Sequence, residues 1–451
     1  MGNYFQGNKS ILFFEIVIIL FPMKIFAPTI VLLLLAFLNG NAQQEKGIIG
    51  FNSWLNNWTE FKPNKTEYNE PNQILTGTIA IDSKLYKKNV YLLLGNVYVT
   101  NKAKLTIEPG TVIIGDAESK AALIITKGAS IIAEGTETDP IVFTSNKSVR
   151  KAGDWGGILL LGDAPTNKFG NTSSVNLDLD VAFVSFGGNT PNSNSGILKY
   201  VRIEYAGAKV KGLGNFNALF LGGVGNQTVF DNVMISYSGG NSVEACGGDL
   251  NLNRLVSYKS SSNDFKFNYG AQVNFKNSLA IRASYLLSNS GSRCLYARSY
   301  DKKEEVDFTK KLTLVTATNL TFVNNSQNIK ADMDQGLVRE AVYIAENTTV
   351  DFKRSVISGF NPAVVLDEKI SVNDESLKKL KFQEMYFNLC KGNIFVENNT
   401  NNEDLESWYG NASFFNVYSQ GENKETFIDP FNDKRPDFRL NIGKITASKN
   451  D

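Results

Sequence analysis

Apolar and polar positions alternate along most of this chain in short runs, and the runs are broken by Gly, Pro, Asp and Asn. Leu105-Thr106-Ile107 and Val112-Ile113-Ile114 place aliphatic side chains on an inward face, and β-branched residues suit a stacked, pleated surface. From Val97 to Asp116 the chain reads VYVTNKAKLTIEPGTVIIGD, and from Leu123 to Ser145 it reads LIITKGASIIAEGTETDPIVFTS. Both copies spell strand, glycine turn, strand, acidic turn, strand. Glu108-Pro109-Gly110 and Thr138-Asp139-Pro140 are turn tripeptides, because Pro sets φ and Gly admits positive φ. Strands returning every ~20 residues predict a β-solenoid, in which each coil covers the last.

The rhythm resumes at Tyr200. Segments beginning at Asp231, Leu252 and Phe275, 21 and then 23 residues apart, each fit one turn of a right-handed, single-stranded parallel β-helix, an all-β fold. Asn232 and Asn253 take equivalent places in this alignment, where stacked amides would hydrogen-bond between coils. Looser units follow at 312–331, 354–368 and 385–398, with a short helix predicted over Asp374 to Leu380. The expected organisation is an upstream extension plus signal segment at 1–42, an N-terminal cap at 43–75, the β-helix over 76–426, and a C-terminal cap and tail at 427–451. Residues 163–195, polar and rich in Gly and Asn, read as an inserted loop thrown out from one face.

Met23-Lys24, the apolar run Ile30 to Leu38 and the small residues before Ala42 form a secretory signal with cleavage after Ala42. A second apolar run at 11–21, interrupted by Glu15, leaves an uncleaved anchor as the competing reading, although each run is shorter than the ~20 residues of a spanning helix. The chain is therefore expected to be exported, to the periplasm or the outer-membrane surface, and peripherally associated there. Its 451 residues carry 46 Lys and Arg against 45 Asp and Glu, which gives no electrostatic case for a nucleic-acid partner. The chain has no histidine, which removes Ser-His-Asp chemistry and the imidazole sites of most zinc, copper and iron enzymes. Catalysis would have to run on carboxylates, Lys, Arg, Tyr or bound calcium. Cys246 and Cys294 lie 48 residues apart, about two coils, and with Cys390 allow two readings: one disulfide between Cys246 and Cys294, or three isolated buried thiols.

Three constellations are candidates for function. Tyr200, Tyr205, Tyr237 and Tyr258 recur at similar strand positions and would form a column, either a platform for sugar rings or a stack that stabilises coils. Trp54 and Trp58 carry the same two readings, as sugar platforms or as part of the cap. Glu204, Asp231, Glu244, Asp249 and Asp264 fall on successive coils. In register, Glu244, Asp249 and Asp264 would hold calcium or act as an acid/base pair, with Arg202, Arg254 or Lys259 as the base of a lyase; out of register they are solvated turn acids. Gly222-Gly223-Val224-Gly225 lacks the Lys-Ser/Thr and helix of a phosphate loop and reads as a turn.

LTIEPGTVIIGD, IIAEGTETDPIVFTS, GDWGGILLLGDAP, SGILKYVRIEYAG and LGGVGNQTVFDNVMISYSGGNSVEACGG resemble a group of secreted Bacteroidetes proteins with a pectate-lyase-like right-handed β-helix fold. The resemblance covers about residues 50–300. The chain departs from the group where Ser261-Ser262-Asn263-Asp264-Phe265 replaces an acidic run, and where Cys246 replaces an aromatic. It implies a secreted right-handed parallel β-helix; the reading expected from the whole sequence is a non-catalytic envelope protein that presents a solenoid face to a glycan or a protein partner. The alternatives are an accessory subunit of an outer-membrane complex and a carboxylate-based polysaccharide lyase or hydrolase.

Overall fold

A computed structural model describes residues 46–50, 53–284, 292–398 and 402–443; the signal segment expected at 1–42 lies outside them. The chain winds as a parallel β-helix with three faces. Each coil contributes a strand to sheet 1, then sheet 3, then sheet 2. Sheet 1 runs from Gln73–Leu75 to Val417–Ser419, sheet 2 from Ser83–Leu85 to Leu380–Gln383, and sheet 3 from Thr78–Ile79 to Ile394–Val396. All pairings between coils are parallel. The expected repeat of Leu252 and Phe275 is the observed register, with Phe230 paired to Leu252 and Leu252 to Phe275.

In-register stacking puts like positions above one another. Inside the coils one column passes through Leu198, Phe230, Leu252, Phe275, Ala317, Phe352 and Phe382, all buried in the main core. The small Ala317 between two rings keeps the column filled without overpacking. Sheets 2 and 1 meet at a corner made by one left-handed residue per coil: Tyr200, Asn232, Arg254, Asn277, Asn319, Arg354 and Glu384. At three of these coils the strand runs unbroken through the corner, as Gly196–Glu204, Val229–Ser236 and Asp249–Tyr258. Asn accepts this conformation better than most residues, which explains three of the seven. The amide ladder expected at Asn232 and Asn253 is shifted: Asn253 Nδ2 donates to Asp231 Oδ1 at 2.8 Å, while Asn232 sits in the corner. The ladder occurs at another corner, where Asn263 Nδ2 donates to Asn241 Oδ1 and Asn241 Nδ2 to Asn217 Oδ1, both at 2.9 Å.

The terminal segments do not lie where caps were expected. Residues 46–50 and 53–68 run as a strap along the outer surface of sheet 1, against the order of the coils. Ile48 N–H donates to Thr321 Oγ1, Ile49 N–H to Asn277 Oδ1, Glu60 N–H to Met234 sulfur, and Arg150 donates to the carbonyls of Pro63 and Thr66. Leu55, Trp58 and Phe61 are buried there in one cluster with Met234, Val256, Ile281 and Val323, which belong to two neighbouring rows of the outward face of sheet 1. The reason is hydrophobic: those rows are apolar and need a cover. The first coil meanwhile keeps Ile74 and Ile81 exposed. The C-terminal hairpin Phe427–Asp429 and Asp437–Leu440 shares this surface, with Phe427 and Phe438 in the same cluster. The end of the last coils is covered by the helix Glu403–Tyr409, whose Leu405 and Tyr409 enter the main core.

The insert 163–195 also folds back rather than projecting. Its hairpin Thr172–Ser174 and Ser185–Gly187 lies on the outer surface of sheet 3. Phe186 packs on Phe220, ring centroids 5.7 Å apart, and passes over Gly222, where a Cβ would meet its ring at 2.6 Å. The short helix expected near Asp374 is Asp374–Leu377, capped by Asn373 accepting from Ser376 N–H. Among the described residues no helix is long and apolar enough to cross a membrane.

The strap should be an integral part of the fold. Trp58→Ala is expected to lower the unfolding free energy by about 3–5 kcal/mol, read from urea denaturation; a loss below ~1 kcal/mol would mean that the strap is peripheral.

Candidate functional site

The tyrosine column exists, and it is largely covered. Tyr205 and Tyr237 stack in register with centroids 5.5 Å apart and planes 12° apart, and Tyr258 meets Tyr237 edge-on at 5.6 Å. Tyr258 lies one residue out of step, in register with Ser236. Tyr200 stands apart at the left-handed corner. The strap takes up these rings: Trp58 packs edge-on against Tyr200 at 5.9 Å, Phe61 against Tyr258 at 5.1 Å, and Trp54 stacks on Trp58 at 6.3 Å. Trp58 is fully buried and Tyr205 nearly so. Most of the expected platform is thus spent on holding the strap.

What stays open is a groove beside it, of about 710 Å³, between the strap, the edge of sheet 1 and the C-terminal hairpin. Phe61, Tyr237, Tyr258, Phe431 and Phe438 supply its rings, and Asn64, Asn325, Asn328 and Asn432 its amides. Lys62, Lys65 and Lys259 line it against one carboxylate, Asp433. Lys62 bridges Asp433 at 2.5 Å and holds that carboxyl below its usual range, with Lys65 and Lys259 adding to the effect. The ammonium of Lys259 lies 5.0 Å from the centre of the Tyr258 ring. These residues come from four distant parts of the chain, so no local motif marks them. Tyr237, Tyr258 and Lys259 were legible as candidates; Phe431, Phe438 and the asparagines were not.

The acidic residues do not converge. Glu244 points outward from sheet 3, where Lys266 Nζ lies 2.8 Å away and the Asn217 and Asn241 amides donate at 2.8 and 3.0 Å. Burial alone would raise its carboxyl, but Lys266 and Asn217 outweigh it and hold the group below its usual range. Asp264 is fully buried at the start of a sheet 3 strand, accepting from Ser257 at 2.5 Å and Arg282 at 2.7 Å. Arg282 also donates to the carbonyls of Ser260, Ser262 and Arg293, so the pair ties turns together. Asp249 opens a sheet 2 strand and accepts from Asn226 at 3.1 Å. Asp231 is taken by Asn253 and Arg254. Divided between sheets 3 and 2 and each held by its own partner, these carboxylates form no calcium shell. Among the described residues no group of three or more Asp, Glu or Cys is placed to hold a metal ion.

Glu204 is the unusual acid. It lies on the outer surface of sheet 1, only 1% exposed, with Arg202 Nε 3.3 Å away. Besides Arg202 its oxygens have only the Thr144 hydroxyl near them, and the Tyr205 hydroxyl is unpartnered. Arg202 instead donates to the Tyr68 hydroxyl at 2.8 Å. Burial raises the Glu204 carboxyl above its usual range, against the pull of Arg202.

No disulfide joins Cys246 to Cys294; all three cysteines are free and buried. The two sit at opposite ends of their strands, since Phe265 pairs with both Val243 and Leu295. That leaves roughly 13 Å along the strand and about 10 Å across two strand spacings, whereas a bridge needs Cα atoms within about 7 Å. Cys294 faces the core and Cys246 faces the insert. Burial raises both thiols, and that of Cys390 to about 11.

Two outcomes follow. Iodoacetamide should leave the native protein unmodified and add three carbamidomethyl groups after unfolding without reductant; intact mass spectrometry reads this, and only one adduct would indicate a bridge. For Glu204, a folded pKa above the unfolded value contributes stability below about 4.5 that is lost as pH rises through the folded value. Glu204→Gln should therefore flatten the fall in unfolding free energy above that pH, by up to about 1.4 kcal/mol per unit, whatever it does to the level; an unchanged slope would contradict the burial effect.

The parallel sheets and their in-register stacking agree with the sequence comparison. No curated protein and no solved structure matches the chain. A family model described as a pectate-lyase-like β-helix domain matches residues 77–426. By that match, over more than half its length, this chain belongs to the family of pectate-lyase-like β-helix domains.

Proposed function

We propose that this protein is a non-catalytic, exported envelope protein that holds a glycan in the groove between strap and C-terminal hairpin. The observation that carries this reading is the lining of the groove. The open rings of Tyr237, Tyr258 and Phe431, backed by the buried Phe61 and Phe438, stand beside four asparagine amides. Ring faces pack on the C–H side of a sugar, and amides both donate to and accept from its hydroxyls. The size suits a ligand of several rings, within the usual range of ligand sites. Three lysines against one aspartate favour sugars that carry acidic groups.

A carboxylate-based lyase or hydrolase has less support. Glu244, Asp249 and Asp264 are each engaged by a separate protein partner, and Glu244 and Asp249 stand on different sheets. Of the three candidate bases, Arg202 and Arg254 are engaged by Tyr68 and Asp231, and Lys259 belongs to the groove.

Affinity electrophoresis against a panel of neutral and acidic polysaccharides tests the proposal. Retardation is expected with at least one acidic member, and Phe431→Ala or Lys259→Glu should weaken it tenfold or more with unchanged melting. Phe431 is 40% exposed, so its removal spares the core. Free migration in every gel would overturn the reading.

A further inference from the structure

The outward row of sheet 3 changes character partway along the coils. Tyr98, Ile124, Leu159 and Phe220 stand in register and are apolar, and the insert covers them. The next two positions in the row are Glu244 and Lys266. At this step the insert's cover ends and leaves a cleft of about 460 Å³. Its floor is Leu159, Phe220, Glu244 and Cys246, and its walls come from the insert, the hairpin Lys209–Val210 and Gly214–Asn215, and residues 301–305.

The charges of this cleft cancel locally. Glu244 has Lys266 at 2.8 Å, Glu305 has Lys168 at 2.6 Å, and Asp301 is held by Arg298. Asp301 further accepts from Tyr269 at 2.6 Å and Asn268 at 3.1 Å. Each carboxylate is thus oriented by protein donors; beyond these pairs the lining adds one solvated cation, the exposed Lys302 at 3.9 Å from Glu305, so an anionic ligand would meet a single screened positive charge. An uncharged ligand with one apolar face and a rim of hydroxyls fits: the edge of Phe220 and the partly open Val175, Leu177 and Leu213 on its apolar side, with Ser173, Ser174, Asn176 and the fixed carboxylates around it. Polar groups held in place before binding cost little to order when the ligand arrives.

We propose that this cleft is a second ligand site, specific for a neutral sugar, on a different sheet from the strap groove. The chain would then grip two glycan segments at once, one on sheet 1 and one on sheet 3. The site does not depend on the strap groove binding anything.

The test uses the folded chain and isothermal titration with neutral oligosaccharides built from glucose, xylose, mannose or galactose. One of these should bind with one equivalent per chain. Ser174→Trp fills the cleft from an exposed position at the end of the insert's first strand and should weaken that binding at least tenfold, with melting unchanged. Asp301→Asn, which keeps the shape, should weaken it severalfold, and Lys259→Glu in the strap groove should leave it intact. Failure of every neutral sugar to bind at millimolar concentration overturns the proposal. So does binding that survives Ser174→Trp, or binding lost in Lys259→Glu, which would put the sugar in the strap groove.

Discussion

In-register parallel pairing between successive coils is the constraint on which the rest of this molecule depends. Each strand satisfies its backbone groups with the coil before and the coil after, so equivalent side chains must stack at the strand spacing. Inside, that stacking produces continuous columns such as Leu198 to Phe382. At the corners it produces the left-handed column Tyr200 to Glu384 and the amide ladder Asn217, Asn241, Asn263. A residue that breaks register breaks pairing on both sides at once.

The same rule creates a difficulty on the outside. An apolar outward residue in one coil sits beside outward residues of the next, so exposed apolar stripes grow along the helix. This chain covers two of them with its own irregular parts: the strap and C-terminal hairpin on sheet 1, and the insert on sheet 3. Grooves form where the covers stop. Both candidate sites lie at such borders, where buried rings give way to amides, lysines and carboxylates.

Much of the scaffold was legible in the chain because its signals are local. The alternation Leu105-Thr106-Ile107 and the Leu252 to Phe275 repeat are properties of adjacent residues, and both became strands in the expected register. Asn232 was misplaced because a corner residue and a ladder residue look alike in sequence; only the pairing of Asp231 with Asn253 separates them. The Cys246 and Cys294 pairing failed for a related reason. Spacing by two coils says nothing about position along the strand or which face a side chain takes.

The candidate site was legible only in part. Tyr237, Tyr258 and Lys259 stand on regular strands and could be found by repetition, whereas Phe431, Asn325 and Asn64 lie in segments without a period. Trp54 and Trp58 were visible as exceptional residues, yet their place on sheet 1 follows from where an apolar stripe needed cover. The sequence by itself determined the coil, its inward columns and its turns, since these follow from neighbours along the chain and from one repeated contact between coils. The tertiary structure alone decided which irregular segment lies on which face, because that depends on surfaces that exist only once the coils are stacked.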